Sequence, residues 1–199
     1  YTAVDDAEDN TEECFSINTS GPDNLARVAN QFEAALIHYS TDYIFDGKKG
    51  SPYSERDIPS PLNSYGHSKL EGERRICEQN TPGFIIRTGW IYSAHGQNFV
   101  NKILVKLKSE KSFGVVYDQI GIPTSAEFIA RTTGNLISEI PKIILNRGAT
   151  TELLNVACCG QASWYDFATE IRRVASQIDR NYGDCPINRI TASEISLPA

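Results

Sequence analysis

Polar and apolar positions along this chain follow two rhythms. Over residues 24–35 the apolar side chains Leu25, Val28, Ala29 and Phe32 recur near the helical period, which sets them on one face of an amphipathic helix. Asn18, Thr19, Ser20 and Asp23, just upstream, are residues of the helix N-cap type. Ala35-Leu36-Ile37-His38-Tyr39-Ser40 is then a short apolar run that turns polar at Ser40-Thr41-Asp42. A strand buried on both faces reads this way where its carboxyl end meets solvent, and in an open parallel sheet that end is where ligands bind.

Residues 46–52 and Pro59-Ser60-Pro61 hold too many turn formers for a regular element and predict a long surface loop. Residues 64–78 favour helix, with Glu71, Glu73, Arg74, Arg75 and Glu78 as its charged exposed face and Thr81-Pro82-Gly83 as its end. The β-branched and aromatic run 84–92 predicts the next strand. Strand, helix and strand in this order form a βαβ unit, which implies a parallel sheet.

Further on, the pattern predicts a helix over 98–107 with Phe99, Ile103 and Leu107 on one side, a strand over 114–117 and a helix over 126–140. A polar loop over 146–151 leads to a late strand, 153–157. Ser163 suits the N-cap of a helix over 164–178, whose apolar face is Phe167, Ala168, Ile171, Val174 and Ala175. No internal repeat or low-complexity tract is present.

Composition narrows the function classes. The 199 residues, 40% hydrophobic and 22% charged, suit a globular protein of one large domain or a domain and a fraction. A formal charge of −6 and a pI near 5.1 disfavour nucleic acid, which requires clustered Lys and Arg, and point to a small-molecule partner. The apolar stretches are a few residues long, against the ~20 that span a bilayer, so no membrane partner is expected. Five cysteines, an odd number with no C-x-x-C spacing and two of them adjacent, indicate neither a disulfide framework nor a zinc site and suit a reducing, cytoplasmic setting. The chain contains no Met, opens on Tyr1 and carries no signal-peptide pattern, which suggests an excerpt whose beginning lies upstream.

Tyr65-x-x-x-Lys69 places a phenol and an ammonium on one helix face. Reduction of a carbonyl by hydride builds negative charge on oxygen, and that oxygen needs a proton. Tyr can supply it when a nearby cation stabilises the phenolate. A hydroxyl at a neighbouring strand end, Thr41 or Ser40, would hold the same oxygen. Alone, this spacing is most often a solvated Lys beside a half-buried Tyr. The order of the parts carries more: a buried strand ending in Ser-Thr-Asp, a long loop, then the helix with the pair.

Three segments resemble dTDP-4-dehydrorhamnose reductases, members of the extended short-chain dehydrogenases: His38-Tyr39-Ser40-Thr41-Asp42-Tyr43-Ile44-Phe45-Asp46-Gly47, Pro61-Leu62-Asn63-Ser64-Tyr65-Gly66-His67-Ser68-Lys69-Leu70-Glu71-Gly72-Glu73, and Arg87-Thr88-Gly89-Trp90-Ile91-Tyr92. The likeness continues in Tyr1-Thr2-Ala3-Val4-Asp5, Asp118-Gln119-Ile120-Gly121-Ile122-Pro123-Thr124 and Ser163-Trp164-Tyr165-Asp166-Phe167-Ala168, so it spans almost the whole chain.

The resemblance implies NADPH-dependent reduction of the C4 ketone of dTDP-4-dehydro-L-rhamnose to dTDP-L-rhamnose, a step in supplying sugar for cell-wall polysaccharide. It implies Tyr65 as proton donor, Lys69 as the residue that lowers its pKa and holds the nicotinamide ribose, and Thr41 as the carbonyl-binding hydroxyl. Asp42, Tyr43 and Trp90 match positions lining the sugar-nucleotide pocket, while Tyr1 and Thr2 match a strand end that touches the cofactor. Glu127 matches a Mg2+-linked contact of a homodimer in some members. Against these stand plainer roles: packing for Trp90 and Tyr43, and solvent exposure for Glu127. His38, His67 and His95 lack metal-ligand spacing and read as core or surface residues.

No G-x-G-x-x-G or G-x-x-G-x-x-G fingerprint occurs, although a dinucleotide site normally opens with one. The resemblance therefore implies an α/β chain holding the C-terminal part of a Rossmann-like doubly wound parallel sheet, residues 1–118, with its first four strands missing. Part of a smaller α/β substrate-binding region follows over 119–199, with the 153–157 strand returning to the Rossmann sheet. Residues 195–199 resemble the start of a longer segment, and such a fragment is expected to bind NADPH poorly and to be inactive alone. The choice between NADPH and NADH rests on residues outside the chain. Two other functions remain: another nucleotide-sugar epimerase or dehydratase, against which Trp90 and the 118–124 motif argue, and a non-catalytic regulatory homologue.

Overall fold

The computed structural model describes residues 1–145 and 150–195. Most of the expected polar loop 146–151 and the end of the 195–199 segment thus lie outside the described residues. The fold is α/β with parallel pairing. Its residues form two compact units, Tyr1–Thr88 with Thr132–Val156 and Gly89–Arg131 with the described residues from Ala157 onward. The chain passes between them at three points, where the sequence reading placed a cut after residue 118 and a return of the 153–157 strand to the first domain's sheet.

The first unit begins with α1 (Asp6–Asp9), α2 (Thr11–Phe15), a π-helical turn (Ser16–Ser20) and α3 (Gly21–Gln31). The sequence placed a helix start among residues 18–23. Instead, Ser20 is helical in backbone and makes no capping bond, so the helical path runs on through Pro22. Tertiary contacts explain the extension. Asn18, 4% exposed, donates to Ser68 Oγ at 3.0 Å, and Thr19 Oγ1 donates to the Ser68 carbonyl at 2.9 Å. The apolar stripe of α3 also faces the other way from expectation: Leu25, Val28 and Phe32 are exposed, and Pro22, Asp23 and Ala26 form the buried face. A small residue at 26 lets α3 approach Ile76 and Ile85 closely.

Strand β1 (Leu36–Thr41) leads through the loop to α4 (Ser64–Glu78), and β2 (Gly83–Thr88) follows. The pairing is parallel, Leu36 to Gly83 through Thr41 to Thr88. All six residues of β2 are buried because the strand is central. Its other edge pairs in parallel with a late strand, Thr151–Asn155, which begins two residues earlier than the sequence pattern suggested. Side chains alternate across this sheet. Leu36, Ile85 and Leu153 meet Ala26 and Ile76 on one face, and Ile37, Phe84, Ile86 and Leu154 meet Leu136, Ile140 and Ile143 on the other. Those last three residues belong to a helix over Ala126–Leu145, which runs past its expected end at 140 and contains Pro141. Packing of Ile140 and Ile143 on the sheet offsets the ~3 kcal/mol that an interior Pro costs.

The second unit opens where the expected strand 84–92 breaks. Trp90 has φ +50°, and the chain resumes as β3 (Ile91–Tyr92), followed by α5 (Phe99–Ser109), β4 (Phe113–Val116) and β5 (Ile120–Gly121). Two-residue β6 (Thr124–Ser125) pairs with β3 in parallel; α6 is the helix Ala126–Leu145 and β7 the strand Thr151–Asn155. Then come β8 (Ala162–Ser163), which pairs with β5 in antiparallel fashion, and α7 (Trp164–Ile178). The helix opens on a capping box, Ser163 with Asp166, as its sequence promised. Ile103, Leu107, Phe113, Val115, Ala168 and Ile171 make the core of this unit, whereas Val174, expected there, is 43% exposed. A strand the sequence pattern did not announce, β9 (Ile187–Ile190), pairs in parallel with β4.

One close approach in the first unit gives a direct test. A Cβ on Gly72 of α4 would stand 2.2 Å from the Asn18 carbonyl oxygen, and a carbonyl locked in a helical turn cannot yield. Gly72→Ala is expected to cost about 1–3 kcal/mol through the forced shift, read as a lower denaturant midpoint at unchanged m. An unchanged midpoint would show that α4 and the π turn are not packed this way.

Candidate active site

The site is built where the carboxyl end of β1 meets the first turns of α4. Three devices set the start of that helix. The Asn63 side chain accepts from Gly66 N at 2.8 Å, the Glu8 carboxylate accepts from Ser64 N at 2.7 Å, and residue 66 leans on Tyr43, where a Cβ would come within 2.3 Å of the carbonyl oxygen. Only glycine allows that approach. Helical spacing then turns Tyr65, Lys69 and Glu73 to the buried side, at 9%, 9% and 2% exposure.

Thr41 is the last residue of β1 and caps the short 3-10 turn Asp42–Ile44. Its Oγ1 accepts from Tyr43 N at 3.2 Å and donates to Asp42 Oδ1 at 3.2 Å. The Tyr43 ring meets the Tyr65 ring edge-on, with centroids 5.6 Å apart. Thr41, Asp42, Tyr43, Tyr65 and Lys69 are thus gathered in one place, and Tyr1 packs beside them against Ala7, Cys14 and Tyr65. Thr2 is exposed. Ser40, the other candidate hydroxyl, alternates to the face of β1 opposite Thr41, and its buried Oγ has no partner among the described residues.

Burial raises the Tyr65 phenol above its ordinary value of 10; the Thr41 hydroxyl pulls it down, and Asp42, Tyr43 and Cys14 add to the rise. The group therefore holds its proton at neutral pH, which is what a proton donor requires. Lys69, one turn along α4, is held from the strand side. Among the described contacts its ammonium donates to the Tyr39 carbonyl at 2.6 Å and lies 3.3 Å from His38 Nε2. Desolvation lowers its pKa, and Glu73 acts against that.

Burial also raises the Asp42 carboxyl to about 6, with its hydrogen bonds to Thr41 and to the backbone working the other way. The folded state therefore holds this proton more tightly than the unfolded chain does. The contribution of Asp42 to stability accordingly increases as pH falls from about 6 towards the ordinary 3.8. A 13C titration of the side chain is expected to show a midpoint near 6; a midpoint at the ordinary value would contradict the buried setting.

Glu73 and Arg87 lie behind the pair. Arg87 Nε donates to Glu73 Oε1 at 3.0 Å and Nη2 donates to Oε2 at 2.6 Å, with both side chains under 5% exposed. The Arg87 guanidinium also lies over the Phe45 ring at 5.6 Å, and Phe45 stacks on Tyr53 at 4.3 Å. Glu55 accepts from Asn155 N at 2.7 Å, and Asn155 Nδ2 donates to the Tyr53 carbonyl at 3.1 Å. The long loop is therefore tied to the carboxyl ends of β2 and β7. Tyr53, Glu55 and Arg87 were not foreseen as parts of this setting, since only the three-dimensional register joins them.

Trp90 and Glu127 belong to the second unit. Trp90 stacks on Trp164 with centroids 3.4 Å apart and planes 5° from parallel, and its carbonyl accepts from Thr124 N at 3.1 Å. Phe99 meets the same Trp164 ring at 4.5 Å. Trp164 was legible as the first residue of a helix and as part of the resembling segment 163–168, not as a partner of Trp90. Glu127 is ion-paired with Arg131 at 2.7 Å, and both side chains are exposed. No cluster of three or more metal-ligating side chains occurs among the described residues, and no described helix is long and apolar enough to cross a membrane.

Comparison with known proteins bears on the whole chain. The family model for the RmlD substrate binding domain matches residues 1–199. A dTDP-4-dehydrorhamnose reductase of Sinorhizobium fredii is 38% identical over 201 residues, covering 100% of this chain and 66% of its own length. The crystal structure of a dTDP-4-dehydrorhamnose reductase from Clostridium acetobutylicum superposes with a TM-score of 0.89 at 36% identity, covering 100% of this chain and 65% of that one. One from Bacillus anthracis, in complex with NADP, gives 0.85 at 32% identity, with 100% and 66% covered. The chain thus spans about two thirds of the length of these proteins.

Proposed function

The chain belongs to the RmlD substrate binding domain family, and on that premise we propose that the protein reduces the C4 ketone of dTDP-4-dehydro-L-rhamnose to dTDP-L-rhamnose with NADPH. The observation that carries the reading is the buried Tyr65 phenol beside Thr41, with Lys69 one turn along α4. The S. fredii relative is named for this reduction, and the B. anthracis relative was solved with NADP.

The residues present fit the nicotinamide end of such a cofactor. Lys69 has one N–H beyond those given to Tyr39 and His38. Thr88 Oγ1, buried at the carboxyl end of β2 in register with Thr41, has no partner among the described residues. When bound, NADPH supplies the hydride. Thr41 turns its O–H from Asp42 to the ketone oxygen and fixes the position of that oxygen by a hydrogen bond, without giving up the proton. Tyr65 delivers its proton to that oxygen as negative charge develops, and the Lys69 ammonium stabilises the resulting phenolate. Asp42 and Tyr43 line the sugar side. Trp90, held by Trp164, is assigned to the sugar-nucleotide pocket, and Glu127 to a Mg2+-linked contact in a homodimer. The five free cysteines suit a reducing cytoplasm.

The test is NADPH oxidation at 340 nm by the full-length protein, with and without dTDP-4-dehydro-L-rhamnose. Oxidation that depends on the sugar nucleotide is expected. Equal rates with and without it, or conversion of the sugar with no consumption of NADPH, would discard the reading.

A further inference from the structure

The buried face of α4 meets β1 at a titratable side chain that the proposed chemistry leaves unused. His38 lies in the middle of β1, on the side that packs under α4 with Leu36 and Ser40. Its Nε2 is 3.3 Å from Lys69 Nζ, and the carbonyl of the next residue, Tyr39, accepts from the same ammonium at 2.6 Å. We infer that His38 is a positioning residue for Lys69: a neutral imidazole, protonated on Nδ1, whose Nε2 lone pair and the Tyr39 carbonyl together fix the ammonium and leave its third N–H for the reaction. What Lys69 does rests on the reductase reading; how Lys69 is held does not.

A buried ammonium needs acceptors for its three donors, and its four-carbon stem carries rotamer entropy that a single contact does not quench. Two acceptors from adjacent residues of one strand define a point in space. The chemical type of the second acceptor matters as well. A carboxylate at this position would neutralise the ammonium just where a phenolate has to be stabilised, whereas an imidazole accepts the hydrogen bond and leaves the positive charge whole.

The surroundings keep that imidazole neutral. Burial first, and the Lys69 charge second, press His38 down to about 3. Glu73, the acidic group of α4 that could draw a proton towards this side, is engaged by Arg87 of β2, and Tyr65 stays a neutral phenol. The Nε2 lone pair is therefore available to Lys69 throughout the neutral range.

Two variants of the full-length protein test the inference. His38→Leu is expected to lower kcat roughly ten- to hundredfold, the cost of a misplaced catalytic group, with KM for the sugar nucleotide unchanged. His38→Gln, which offers an amide oxygen to the ammonium, is expected to recover most of that loss. Equal losses in the two folded variants, or no loss in either, would overturn the inference.

A measurement without turnover stands beside these in case His38→Leu does not fold. The 15N spectrum of His38 is expected to show the neutral Nδ1–H tautomer at neutral pH, with a titration midpoint that rises in Lys69→Met, which removes the charge that helps to lower it. A proton on Nε2, or a midpoint that does not move, would count against it. An inactive protein with these imidazole shifts would discard the reductase reading and leave the His38–Lys69 arrangement standing. An active protein without them would do the reverse.

Discussion

Tyr65→Phe is expected to lower turnover by about 10²–10⁴-fold, the range that a positioned general acid contributes, with the fold intact. The ring stays buried and keeps its edge contact with Tyr43, so the change removes one oxygen and one proton. Because burial holds the phenol above its ordinary value, the wild-type residue is protonated at every pH near neutrality, and no pH in that range would hide the loss. Stability should change by no more than about 1 kcal/mol, the net worth of one hydrogen bond. The KM for the sugar nucleotide should stay close to wild type, since the hydroxyl acts on charge that develops only during reduction. A folded Phe variant with wild-type kcat would remove Tyr65 from the chemistry and return the Tyr-x-x-x-Lys spacing to chance.

The second large effect is on stability. Glu73→Gln leaves the Arg87 guanidinium, 4% exposed, without its anion, and breaking a buried pair from one side costs about 3–5 kcal/mol. Arg87 Nη1 already has no partner among the described residues, so the guanidinium has little else to turn to. Replacing both members with apolar residues, Glu73→Leu with Arg87→Met, should recover most of the loss, because the cost lies in the orphaned charge and not in the absence of the bridge. Denaturant midpoints of the single and double variants decide this. A loss below about 1 kcal/mol in Glu73→Gln would mean the pair is solvated after all. The single variant should also weaken Lys69, whose charged form Glu73 supports.

These two effects start from residues that the sequence made visible to different degrees. Helix α4 was readable over its full length, Ser64–Glu78, because Tyr65 and Lys69 lie on a segment bounded by turn formers. Helix α7 was readable because Ser163 and Asp166 announce its start. Both signals are local. Glu73, by contrast, looked like one charge among five on an exposed face. Its burial depends on Arg87, fourteen positions away on β2, and no periodicity encodes that partner.

His38 was invisible for a similar reason: a lone histidine in a strand is ordinary until the parallel register brings Lys69 over it. The π turn at Ser16–Ser20 defeated the pattern because polar Asn18 and Thr19 resemble a helix start, while their bonds to Ser68 draw them inside. The strand pattern failed at Trp90, where an aromatic run suggested continuation but the backbone turns left-handed. The pairing of β9 with β4 joins segments some seventy residues apart and left no mark in either.

We propose that Tyr65, Lys69 and Thr41 serve transfer of hydride to a sugar ketone. It is tested most directly by giving the full-length protein dTDP-4-dehydro-L-rhamnose and NADPH deuterated at C4 of the nicotinamide, then locating the label by mass spectrometry and NMR. The expected result is dTDP-L-rhamnose carrying one deuterium at C4 of the sugar, and none of this product from the Tyr65→Phe variant in the same time. Product without deuterium at C4, or labelled product formed equally well by the variant, would contradict it.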